Sequence, residues 1–102
     1  MNHPYRLSKS AIADLKNIIN YTRQSFGENQ LKKYISTLEE CARSLAMNKG
    51  LVRRLPDIHP DIRYLYCSHH YIFGITSGKS PFQIIAIFHE RMDLMSRLKS
   101  RL

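Results

Sequence analysis

Two stretches of helical periodicity separated by a single glycine constrain this chain more than any other feature. Ala11, Ile12, Leu15, Ile18, Ile19, Thr22 and Phe26 recur at helical spacing behind Ser8, a residue type that caps helix N-termini well. The pattern stops at Gly27, which suits the left-handed position after a helix, and restarts at once with Leu31, Tyr34, Ile35, Leu38, Cys41, Ala42 and Leu45. Two long helices joined this tightly must form an antiparallel hairpin. Their apolar stripes then need a second layer to cover them.

The rest of the chain supplies strands for that layer. Residues 5–7 suit a short strand before the first helix, while 62–66 and 71–76 alternate and 82–88 is almost continuously apolar. A turn over 77–81, Ser-Gly-Lys-Ser-Pro, separates the last two, and 48–60 reads as a basic loop punctuated by Gly50, Pro56 and Pro60. The expected fold is α+β: an N-terminal strand, an antiparallel helical hairpin, a three-stranded antiparallel sheet and a short C-terminal tail or helix, all in one domain spanning 1–102. On the last strand, regular alternation would send Ile84, Ala86 and Phe88 to one face and Ile85, Ile87 and His89 to the other. Two helices cover one side only. The other is covered either by the tail after Met92 or by another chain, and the pattern favours a partner.

Lys and Arg number 16 against 8 acidic residues, a formal charge of +8, so an anionic partner surface is expected. The first residues lack a signal-peptide pattern, and no apolar run reaches bilayer-spanning length, so a cytoplasmic protein without membrane contact is expected. Cys41 and Cys67 lie far apart in sequence and read as reduced, unreactive packing residues.

Three stretches together resemble one family. They are Tyr5-Arg6-Leu7-Ser8 leading into Ala13-Asp14-Leu15 and Ile19-Asn20-Tyr21-Thr22-Arg23; 67–73, Cys-Ser-His-His-Tyr-Ile-Phe; and 87–94, Ile-Phe-His-Glu-Arg-Met-Asp-Leu, followed by Arg97-Leu98. These are similar to the ParE toxins of plasmid stabilisation systems, within the ParE/RelE superfamily. The resemblance implies that superfamily's fold and a toxin–antitoxin function. It implies neutralisation by a ParD-type antitoxin and inhibition of DNA gyrase through its A subunit, by stabilising the DNA cleavage complex. DNA would be reached only through the antitoxin or gyrase, no cofactor is implied, and no catalytic residue is needed.

RelE relatives are instead ribosome-dependent messenger RNA endonucleases, and fold alone does not choose between the targets. Cleavage by a ribose hydroxyl requires a base, an acid and a cation. Arg63, His70, His89, Glu90 and Arg91 could converge at one sheet edge for that purpose; equally, the arginines could be solvated or antitoxin-binding cations and His89 could fix the strand end by a hydrogen bond. The half-apolar tail after Met92 follows the ParE pattern. It suits a short helix presenting Leu94, Met95 and Leu98 to a partner, or packing on its own sheet.

Arg63, His70, His89, Arg91, Leu94, Met95 and Arg97 are therefore the candidate contacts for antitoxin or gyrase. Adjacent strand residues point to opposite faces, so His69 and His70 do not make a metal site. Ser8, Ser10 and Cys67 lack the base a nucleophile needs. The basic residues Lys49, Arg53, Arg54, Arg97, Lys99 and Arg101 accompany no DNA-reading motif. Gly74 departs from the bulkier residue common in the superfamily, and it would permit a bulge or a close backbone approach.

Overall fold

In the computed structural model, which describes residues 4–78 and 80–102, the chain opens with strand β1 (Tyr5–Leu7) and turns directly into helix α1 (Lys9–Phe26). Ser8 makes that turn by accepting a hydrogen bond from the Ala11 amide at 3.1 Å, satisfying one of the donors a helix start leaves free. Met1, Asn2 and His3, part of the stretch read for a leader, and Lys79 of the expected 77–81 turn lie outside the described residues.

Helix α2 (Glu28–Ala46) begins one residue after α1 ends. Gly27 alone makes the link, with φ 87° and ψ 174°, a backbone region essentially closed to residues bearing a Cβ. Its amide reaches Arg23 O and its carbonyl accepts from Leu31, so it closes one helix and opens the next. An Arg23–Glu28 ion pair straps the corner. The α2 stripe is buried or half-buried as expected; on α1, however, Ile12 and Phe26 remain exposed, because the sheet covers only Ala11, Ile18, Thr22 and their near neighbours.

Strands β2 (Arg53–Arg54), β3 (Ile62–Cys67), β4 (His70–Ser77) and β5 (Ser80–His89) follow, then helix α3 (Leu94–Lys99). The sheet has five strands, in the order β1-β5-β4-β3-β2, rather than three. The expected antiparallel meander is its centre. β1 joins as a parallel neighbour of β5, and the two-residue β2 extends the opposite edge. Pairing between residues so far apart in sequence leaves no local periodicity to read.

β5 also departs from regular alternation. Phe73 pairs with Ala86 but Gly74 with Ile84, so Ile85 is an extra residue, a β-bulge. Phe82, Ile84 and Ile87 consequently face the helices, and Ile85, Ala86 and Phe88 face away. Gly74 lies across from this bulge because a Cβ there would overlap the Phe82 ring. The close approach expected of a glycine within a strand is thus realised by an aromatic ring.

The face turned from the helices is closed largely by the chain itself, against the expectation of a partner. Leu55 and Ile58 from the 48–61 segment and Leu94 and Leu98 from α3 pack on Ile62, Phe73, Ile85 and Phe88. Leu98 is fully buried, which stabilises the docked tail by roughly 1.5–3 kcal/mol. A second correction concerns the cysteines: Cys41 on α2 and Cys67 at the end of β3 are joined as a disulfide, with Cα atoms 6.2 Å apart. Their separation of 26 residues hid the pairing; α2 crossing the end of β3 creates it.

Candidate protein-interaction groove

Strands β3 and β4 are joined by two residues, Ser68 and His69, with Cys67 paired to His70 and Ser68 at φ 56°. This tight turn sets His69 and His70 side by side at one end of the sheet. β5 ends at the same level: His70 pairs with His89, and the Glu90 amide donates to His69 O at 2.9 Å. Two strand ends and one turn therefore gather three imidazoles and a carboxylate. The His70 and His89 rings are 5.2 Å apart and those of His69 and His89 6.5 Å.

These groups are bonded chiefly to one another. Glu90 accepts from Tyr66 Oη at 2.6 Å and meets His69 Nδ1 at 3.0 Å, and both contacts hold its carboxyl below the usual carboxylate range. The Tyr66 hydroxyl is correspondingly pushed up to about 12 by donating to that carboxylate. His70 Nδ1 is hydrogen-bonded to the Tyr34 hydroxyl from α2. Burial, then the neighbouring His89 and His69, lower His70 to about 4, so it is a neutral imidazole at neutral pH. His89 Nδ1 accepts the Arg91 amide at 3.2 Å, the strand-end role that one sequence reading gave it. Among the described residues no three His, Cys, Asp or Glu side chains are placed to hold a metal ion.

Beside this cluster, on the helix side of the sheet, lies an open groove of about 790 Å³. Its walls include Tyr21 and Phe26 of α1, Tyr34 of α2, Ile87 of β5 and Met92 beyond it, with His70, His89, Glu90 and Arg91 at one end. Tyr21 and Phe26 are about two-thirds exposed, an unusual state for neighbouring aromatics on a helix that carries a buried stripe. The groove is therefore an apolar trough ending in polar and cationic groups.

Of the seven candidate residues, the structure brings His70, His89 and Arg91 together here. Arg63 does not join them. It lies toward the far end of β3, opposite Gly74, 7% exposed, with its guanidinium 4.5 Å from the centre of the Phe82 ring and Nη2 donating to Ala46 O. Burial and Arg54 lower its pKa, and its Nε has no protein partner. A cation so placed cannot serve a phosphate at the histidine end, where Arg91 is the cation beside His70 and His89. Leu94 is half-buried against its own sheet, whereas Met95 and Arg97 remain exposed on α3.

Sequence reasoning missed Tyr21, Phe26 and Tyr34 as groove residues. Phe26 and Tyr34 fit the helical stripes and so read as core; only the tertiary position of the sheet leaves Phe26 uncovered. Asp14 was also missed as an organising residue. Its carboxylate accepts the Ile87 amide at 3.0 Å and pairs with Arg101 at 2.7 and 2.8 Å, at the groove's edge.

Comparison with known proteins agrees with this architecture. Residues 5–94 match the family model described as the ParE toxin of the type II toxin–antitoxin system parDE. The chain is 42% identical over 98 residues to Toxin ParE of Escherichia coli, covering 96% of this chain and 95% of that protein. It is 27% identical over 95 residues to Toxin ParE1 of Caulobacter vibrioides, covering 93% and 97%. A solved structure titled as the chromosomal ParDE toxin–antitoxin system from P. aeruginosa shares the fold, with a TM-score of 0.66 at 22% identity over 83% of this chain and 92% of that one. With a family match spanning both helices, the whole sheet and the start of α3, the chain belongs to the ParE toxins of type II toxin–antitoxin systems.

Proposed function

We propose that this toxin acts by binding rather than by chemistry: it engages DNA gyrase, through the A subunit, and stabilises the DNA cleavage complex, and a ParD-type antitoxin neutralises it in the cytoplasm. The observation that carries the reading is the near full-length similarity to Toxin ParE of Escherichia coli, which includes the stretch from Ile87 to Leu94. A trapped state must be bound more tightly than the resealed one, so the toxin's contacts must be made selectively in the cleaved complex.

The groove fits the antitoxin's role. An amphipathic segment laid along it would cover Tyr21, Phe26 and Met92 with apolar side chains, while acidic groups would meet Arg91 and the surrounding positive charge. His70 and His89 form the end wall and act as positioning groups. Met95 and Arg97 on α3 remain available to gyrase when the groove is filled. DNA is approached within the gyrase complex, and the mutual bonding of His69, Glu90, Tyr66, Tyr34 and His70 supports a binding role over a nuclease one.

The test is a cleavage assay in which purified toxin, gyrase, ATP and plasmid are incubated and then denatured, run beside a ribosome-dependent messenger RNA cleavage assay on the same preparation. Linear plasmid appearing only with gyrase, and intact RNA, is the expected result. Cut RNA with untouched plasmid would replace this reading with the RelE type.

A further inference from the structure

The sheet face turned from the helices is not wholly covered by α3 and the 48–61 segment. Toward the β2 and β3 edge, three tyrosines lie together: Tyr66 and Tyr71 form a cross-strand pair with ring centres 4.9 Å apart, and Tyr64 lies 6.1 Å from Tyr71. Tyr64 in turn stacks on Phe73 at 5.5 Å, which anchors the set in the core beneath α3. Tyr66 is 49% exposed. On the neighbouring strand, Arg53 pairs directly with Tyr64, so the two side chains share this face, and Arg53 is exposed.

We infer that Tyr64, Tyr66, Tyr71 and Arg53 form a stacking platform for unpaired bases of single-stranded DNA, a direct nucleic-acid contact separate from the antitoxin groove. Tyr66 offers an exposed ring, backed by the half-buried Tyr64 and Tyr71 and beside a cation, which is what an unpaired base and its flanking phosphate require: the ring stacks on the base whatever its identity, and the guanidinium meets the phosphate. Beside the rings the edge strand β2 carries two exposed cations, Arg53 and Arg54, which suit a phosphate backbone. A duplex presents its bases edge-on within grooves, which tyrosines lying on a sheet do not enter. The choice of DNA over RNA rests on the gyrase reading; the platform itself does not.

Glu90, bonded to Tyr66 Oη, is a carboxylate at the rim of the platform and works against a phosphate there. This gives the test a variant of opposite sign. Fluorescence anisotropy with a labelled oligothymidylate of about twelve nucleotides, at low salt and without gyrase, measures binding by the intact chain. Tyr66→Ala is expected to weaken it roughly five- to hundredfold, the range for loss of one base-stacking ring. Tyr66→Phe, which keeps the ring, should stay within about twofold of wild type, and Glu90→Gln should bind more tightly. Arg53→Ala should weaken binding and make its salt dependence shallower by about one phosphate contact.

Equal affinities for wild type and Tyr66→Ala, no binding at low salt, or tighter binding to the matching duplex would overturn the platform. Tighter binding to an oligouridylate would overturn the commitment to DNA. Because gyrase is absent, oligonucleotide binding by a toxin that traps no plasmid cleavage would uphold the platform while removing the gyrase reading, and the converse result would do the reverse.

Discussion

Gly27 is where a single residue most clearly decides the structure. Its φ and ψ lie where only glycine is comfortable, yet nothing lies within 4 Å of the Cβ that alanine would add. Gly27→Ala should therefore cost about 1–3 kcal/mol through backbone strain alone, read as a lower denaturation midpoint with an unchanged slope. His70 makes a second residue-scale case. A base whose folded pKa of about 4 lies below its unfolded value near 6.5 binds fewer protons when folded, so the unfolded chain gains protons first as pH falls. Stability should decline from about pH 6.5 down to about pH 4 and then level off as regards this group. Glu90, whose pKa is depressed, loses its stabilising contribution from the ordinary carboxylate range downward, so its window opens where that of His70 is closing. Thermal melts across this range should be visibly flatter in His70→Gln; an identical profile would remove His70 as the cause.

At the scale of elements, β5 shows how a strand longer than its neighbour is managed. β1 pairs only with Phe82, Gln83 and Ile84, which leaves the outer backbone groups beyond them at a free edge. Asp14 takes the Ile87 amide and Arg101 donates to Ile85 O at 2.9 Å, while Arg101 and Asp14 hold each other and the guanidinium lies 4.8 Å from the centre of the Phe88 ring. One residue from α1 and one from the C-terminal tail thus finish the sheet edge together and block strand addition there. Arg101→Ala should destabilise the protein by about 1–3 kcal/mol, the range for hydrogen bonds to charged groups, and should speed amide exchange in α3 more than in α1. Unchanged exchange in α3 would mean that Leu98 burial alone docks the tail. The helices were legible because amphipathic periodicity is local. The edge closure was not, since it joins residues 87 apart in sequence.

For the whole molecule, the helix layer is tied to the sheet by the Cys41–Cys67 bridge as well as by burial. Closing a loop of this length stabilises by about 3–4 kcal/mol in the chain-entropy account. In a reducing cytoplasm the pair would instead be two thiols. A reductant should therefore lower the melting temperature of the oxidised protein to that of Cys41→Ser and leave Cys41→Ser unchanged; insensitivity of the wild type to reductant would show that the bridge contributes nothing.

Local spacing and composition by themselves determined the helical hairpin, the central antiparallel strands, the glycine between the helices and the positive charge, because each depends on residues close in sequence. The stretch from Tyr5 to Arg23 and the motifs 67–73 and 87–94 together carried the family likeness, the latter two containing His70, His89 and Arg91. Only the tertiary structure decided that β1 lies parallel to β5, that a bulge reverses the alternation of β5, and that α3 closes much of the face expected to await a partner. It alone buried Arg63 beneath Phe82 and left Tyr21 and Phe26 lining an open groove. Each of these depends on which distant segment reaches a surface first and covers it, a competition among long-range contacts that local periodicity does not encode.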